Sequence, residues 1–133
     1  MKIKTQFILV TFLLGCLALT GCTTVNTAAN AQGSGEKVIY KASFDEVWEV
    51  MPAIISGVGL ELVSANQEQH VFLAKNGIST WSWGENVAIF VGKVETNRTC
   101  VEVITKRKLV TNITAQEWDA PIFTRLDEIY KRD

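Results

Sequence analysis

The chain reads as an α+β domain: an antiparallel five-strand sheet with two helices on one face, in the order β-α-β-β-β-β-α. Three observations predict this. Two stretches repeat apolar residues at helical spacing, one around Val47 and Met51 and one around Ile122 and Leu126. Five stretches alternate with strand period. Short polar turns join the later strands, which makes those neighbours antiparallel. One sheet face is then the natural place to bury both helical stripes.

Residues 37–42 alternate, with Val38 and Tyr40 on one face, and form the first strand. Ser43 opens a helix. Ser43 and Glu46 have the Ser-x-x-Glu spacing of a capping box, which satisfies two amide donors at a helix start. Phe44, Val47, Trp48, Met51, Ile54 and Ile55 make the stripe. Pro52 falls inside it, removes the hydrogen bond to the Trp48 carbonyl, and is expected to kink the helix or end its regular part. Gly57 and Gly59 supply the stop. Residues 60–65 are a second strand with Leu60, Leu62 and Ser64 to one side. Residues 66–69 are a polar turn, residues 71–75 a third strand, and Asn76-Gly77 another turn.

Residues 86–95 are the clearest alternating strand. Val87, Ile89 and Val91 share one face; Ala88, Phe90, Gly92 and Val94 share the other. After the turn at residues 96–98 the chain returns over 99–108, with Val101, Val103 and Thr105 opposite Cys100, Glu102 and Ile104. Thr114 and Glu117 have capping-box spacing. Trp118, Ile122, Leu126 and Ile129 give the second stripe, with Phe123 and Tyr130 beside it. Pro121 argues for a regular helix starting near Ala120, since proline fits the first turn.

The amino terminus is of a different kind. Lys2 and Lys4 precede an apolar run, Phe7 to Leu19, shorter than the roughly 20 residues a spanning helix needs. Small residues follow. This is the pattern of a secretory signal. Leu19-Thr20-Gly21-Cys22 resembles the lipobox of bacterial lipoproteins. The resemblance implies diacylglycerol on the Cys22 sulfur, cleavage after Gly21, and N-acylation of the new terminus. It divides the chain into a signal peptide (1–21), a lipidated Cys with a flexible tether (22–36), and one globular domain (37–133). The tether is rich in Thr, Ala, Asn and Gly, a composition that builds no core. Its r.m.s. reach as a free chain is roughly 20 Å. Thr23 stands where an Asp marks inner-membrane retention in enteric-type lipoproteins. The resemblance therefore implies the outer membrane, periplasmic side, in an organism that has one.

From Tyr40 to Tyr130 the pattern is similar to a family of small bacterial lipoproteins. The residues that carry this are Tyr40-Lys41-Ala42-Ser43-Phe44-Asp45, Val101-Glu102-Val103, and the helix from Trp118 to Asp127 with its Ile122-Phe123 and Leu126-Asp127 pairs. The topology also resembles the helix-grip domains of accessory lipoproteins in outer-membrane assembly machinery. These are packing and capping motifs, so they imply a fold and not an activity. Pro52 departs from an ideal first helix.

The sequence offers little chemistry. The formal net charge is −1, and loss of Lys2 and Lys4 with the signal takes it to −3, which excludes a basic nucleic-acid surface. Cys16 leaves with the signal and Cys22 is acylated. Cys100 is then a lone thiol within a strand, expected buried and unpaired. His70, the single histidine, reads as a turn residue beside Glu68. A second histidine for a zinc set, a Gly-x-Ser-x-Gly elbow and a phosphate loop are all lacking. The expectation is a non-enzyme without cofactor or metal.

Residues 77–85 carry Trp81 and Trp83, which point the same way if extended. They are candidates for a contact surface toward an envelope protein, a glycan or the lipid interface. The alternative is that they cover the open sheet edge or fold back over the sheet. The sheet face away from the helices, with Ala88, Phe90, Val94, Cys100 and Ile104, is expected as an exposed apolar patch unless Trp81 and Trp83 cover it. The functional expectation is a membrane-anchored, non-catalytic envelope interaction or scaffolding module. The alternative is a carrier of small apolar ligands in a pocket between helices and sheet.

Overall fold

The computed structural model describes residue 28 and residues 30–77, 84–107 and 116–133. The elements are β1 (Glu36–Tyr40), α1 (Phe44–Gly57), β2 (Glu61–Asn66), β3 (Val71–Asn76), β4 (Glu85–Glu95), β5 (Arg98–Arg107) and α2 (Asp119–Asp127). The five strands form one antiparallel sheet in the spatial order β1-β5-β4-β3-β2. β1 and β2 are consecutive in sequence yet occupy opposite edges. α1 therefore carries the chain across the whole sheet.

Val38, Tyr40, Phe72, Ala74, Val87, Ile89, Val91, Val101 and Val103 make the helix-facing side of the core. From α1, Val47, Met51, Ile54 and Ile55 pack onto it; from α2, Ile122, Phe123 and Leu126 do. The capping box at Ser43 is complete: the Glu46 amide donates to Ser43 Oγ at 3.3 Å, and the Ser43 amide donates to Glu46 Oε2 at 2.8 Å. The backbone bond that reads from Ser43 also holds the Glu46 carboxyl below its usual range.

Two local expectations are corrected and two are narrowed. Pro52 does not end α1, which continues to Gly57. Packing of Ile54 and Ile55 beyond the proline keeps the helix going where local chemistry alone would stop it. Ser64 leaves the Leu60–Leu62 side, because a bulge at Val63 shifts the register so that Leu62 pairs with Ala74 and Ser64 with Leu73. α2 starts at Asp119 with Trp118 in the cap position and no side-chain cap, so the Thr114–Glu117 spacing does not mark its start. The Trp118 amide donates instead to Thr105 Oγ1 of β5, at 3.1 Å. Ile129 leaves the stripe: α2 ends at Asp127 and Ile129 is 52% exposed.

Beyond α2 the chain turns back onto β1. Lys41 N–H donates to the Lys131 carbonyl at 2.8 Å, and Asp133 N–H to the Ile39 carbonyl at 2.9 Å, so the last three residues line the outer edge of β1. Arg132 forks onto the Asp127 carboxylate at 2.8 and 2.7 Å. Tyr40, fully buried, donates its hydroxyl to the same carboxylate at 3.1 Å. Arg98 pairs with Asp133 and with Glu95. An edge strand that would otherwise be open is thereby covered by residues 131–133.

Candidate functional site

The sheet face away from the helices holds a second apolar cluster. It joins Val71 and Leu73 of β3, Ala88 and Phe90 of β4, and Ile104 of β5. This is the expected patch, but it is not bare: Ala88, Phe90 and Ile104 are each less than a tenth exposed. Among the described residues, the covering element is the chain just before β1. Ala28 is fully buried in the cluster and Ala31 packs against it. Val94, further along β4, stays exposed.

Ala28 and residues 30–35 fall within the stretch read from composition as tether, and they lie on the domain as a strap. The strap is fastened by a carboxylate. Glu102 on β5 is 5% exposed, and its Oε1 accepts the amides of Gly33 and Gly35, each at 2.8 Å. Two glycines fit this task for different reasons. Gly33 has φ +95, a left-handed conformation that other residues avoid. At Gly35 a Cβ would run into the Val103 carbonyl oxygen and Ile104 Cγ1, so only a bare backbone comes close enough to β5. Short turns keep the strap compact: Ala31 N–H donates to the Ala28 carbonyl, and the Ser34 amide and hydroxyl donate to the Ala31 carbonyl.

Two clefts flank the strap. One, of about 260 Å³, is lined by Gln32, Lys37, His70, Phe90, Cys100 and Glu102, among others. Gly92 also borders it, and the missing side chain leaves the space open. The other, of about 220 Å³, lies between Ser34, Gly35 and Glu36 on one side and Thr105, Lys106 and Glu117 on another. Asp119, the first residue of α2, and Val103 of the main core also line the smaller cleft.

Cys100 is a free thiol on this face, half-buried and bordering the larger cleft. Burial pushes its pKa up, Glu102 adds to the rise and Lys37 opposes it. A thiol held protonated is a weak nucleophile. His70 sits in the β2–β3 turn at φ 55, its ring tilted against Phe44 with centroids 4.8 Å apart, and its carbonyl accepts the Val91 amide at 2.9 Å. This is a structural post between the turn and β4. Among the described residues no group of three or more His, Cys, Asp or Glu side chains lies close enough to hold a metal ion. No described helix is long and apolar enough to cross a membrane.

Cys22, Trp81 and Trp83 lie outside the described residues. Trp118 is in the main core, and Trp48 stacks between Phe44 and Phe72 at centroid distances of 5.4 and 4.1 Å. The residues that sequence reasoning did not single out are Glu102, Gly33 and Gly35. A signal for them was present: a carboxylate between Cys100 and Ile104 on an apolar strand face needs partners, and glycines two apart can present both amides to one acceptor. Comparison with protein-family models and with curated proteins gives no match to this chain.

Proposed function

We propose that this protein is a membrane-anchored periplasmic lipoprotein, held by lipid on Cys22, that acts as a non-catalytic interaction or scaffolding module of the cell envelope. The anchor half of the reading rests on Leu19-Thr20-Gly21-Cys22 behind a basic and apolar leader. The binding half rests on one observation: an apolar sheet face whose described cover is a strap of small residues, with Phe90 and the polar residues Lys37 and Gln32 around the adjacent cleft. Apolar surface with a few converging polar groups is the usual make-up of a binding site.

Two measurements test the halves separately. Cys22→Ala should move the protein from the membrane fraction to the soluble periplasm and block the mass shift of acylation; an unchanged fraction and mass would remove the anchor reading. Photo-crosslinkers placed at Lys37, exposed beside the larger cleft of the second face, and at Glu49 on α1 should differ in living cells. Capture of one defined envelope component from Lys37 and not from Glu49 is the expected result. Equal capture from both positions, or none, would overturn the binding reading.

A further inference from the structure

We propose that Ala28 and residues 30–35 act as a latch that couples two properties of the anchored protein: how far the domain stands from its membrane, and whether its second apolar face is covered. The reach half rests on the anchor reading above; the latch half does not.

The latch is visible as a set of weak but specific fastenings. Glu102 Oε1 accepts both glycine amides, and Gly35 is seated where no side chain fits. Ala28 and Ala31 contribute only methyl groups to the apolar cluster. Clefts of about 260 and 220 Å³ lie beside Gln32 and beside Ser34 and Gly35, so part of the strap borders open space. Segments with few buried apolar contacts open locally without unfolding the rest. The sheet beneath does not depend on the strap for its pairing, because β5 is held on both sides by β1 and β4.

The consequence for reach is arithmetic. With the strap fastened, the residues between Cys22 and Ala28 are 23–27. Five residues span at most roughly 17 Å even when fully extended. With the strap released up to β1, the link becomes residues 23–35. Thirteen residues span up to roughly 45 Å. The same release uncovers Leu73, Ala88, Phe90 and Ile104 from their described cover. Anything that binds those residues in place of the strap shifts the equilibrium toward the long-reach state. In the resting protein the occupant of the face is the chain's own strap, and the domain stays close to its own membrane.

The test uses the mature acylated protein in vesicles of phosphatidylethanolamine and phosphatidylglycerol doped with a dansyl headgroup lipid. Hydrogen exchange of peptides covering residues 30–36 reads the latch. Energy transfer from the protein's tryptophans to the dansyl lipid reads the distance from the membrane. In the unaltered protein, exchange in residues 30–36 should be at least about tenfold slower than in a free chain. Glu102→Ala and Gly35→Val should both bring it to the free-chain rate, keep β4 and β5 protected, and lower the energy transfer. Glu102→Gln keeps the shape and one oxygen acceptor, so it should fall between, and it is the check if either other variant loses β4–β5 protection. Free-chain exchange in the unaltered protein, or wild-type exchange in both Glu102 variants, would overturn the latch. Released exchange with unchanged energy transfer would overturn the coupling to reach. Failure of the unaltered protein to stay on the vesicles would overturn the anchor reading and the reach half with it, while the exchange result still decides the latch.

Discussion

The two faces of the sheet are sealed by different means. On one, two helices press Met51, Ile54, Ile55, Ile122 and Leu126 into a continuous core. On the other, the described cover is a strap whose buried contribution is alanine methyls, held by two amides on one carboxylate. A fully buried large aliphatic side chain is worth about 1.5–3 kcal/mol, so the helical face holds through many additive terms. A hydrogen bond to a charged group contributes about 1.5–3 kcal/mol in net, but the strap has two, sharing one oxygen. The first arrangement makes a fold. The second makes a contact that can open while the fold persists.

Three substitutions would break or sharpen this contrast. The largest effect is expected on the helical face. Leu126→Ala removes a fully buried side chain of α2 and should cost about 2–5 kcal/mol in denaturant unfolding. A change below about 0.5 kcal/mol, the range of surface sites, would mean that the helical face is not the stabilising one.

On the strap face, Gly35→Ala should have a smaller global effect and a large local one. The new Cβ meets the Val103 carbonyl and Ile104 Cγ1. Overpacking of this kind costs about 1–3 kcal/mol when the neighbours must absorb it. Here the strap can lift instead, so unfolding stability should fall by no more than about 1 kcal/mol, while Cys100 becomes more readily alkylated. A loss as large as that of Leu126→Ala, with Cys100 unchanged, would make the strap an integral part of the core.

The smallest effect is expected where the carboxyl end closes β1. Tyr40→Phe removes the hydroxyl that donates to Asp127 at 3.1 Å and should cost about 0.5–1.5 kcal/mol. Tyr40 also gives a pH signature. Burial first, then Asp127, raises its pKa well above the ordinary phenol range. A raised folded-state pKa contributes stability that is fully present below the unfolded value of about 10 and is lost as pH rises from there toward the folded value. Tyr40→Phe should therefore resist alkaline unfolding better than the parent, even though it is less stable at neutral pH. Asp127 works in the opposite direction. Its pKa is lowered, chiefly by Arg132, so the stability it lends is present at neutral pH and is lost as pH falls through its folded value. Ultraviolet titration of the phenols and unfolding across pH check both. A Tyr40 that ionises at its ordinary value in the folded protein would contradict the burial of its ring and its hydrogen bond to Asp127.

The legible parts of the molecule are those written in neighbouring residues. Helical and strand periods place all seven elements, because each period is a relation among residues two to four apart. The Ser43 cap is legible for the same reason: its partner, Glu46, is three residues away. The two faces of β4 and β5 follow from alternation, and the main and second clusters divide along them.

What the sequence by itself determined is therefore the element order, the helix cap and the inward faces of the long strands. Only the tertiary structure decided the strand order β1-β5-β4-β3-β2, the run of α1 through Pro52, the closing of β1 by residues 131–133, and the strap. Glycines 33 and 35 meet Glu102 across sequence separations of 69 and 67 residues. No local pattern specifies such a meeting. A Gly-Ser-Gly run has the same composition in a free linker as in a fastened strap, and what separates the two is the carboxylate that the folded sheet brings beneath it.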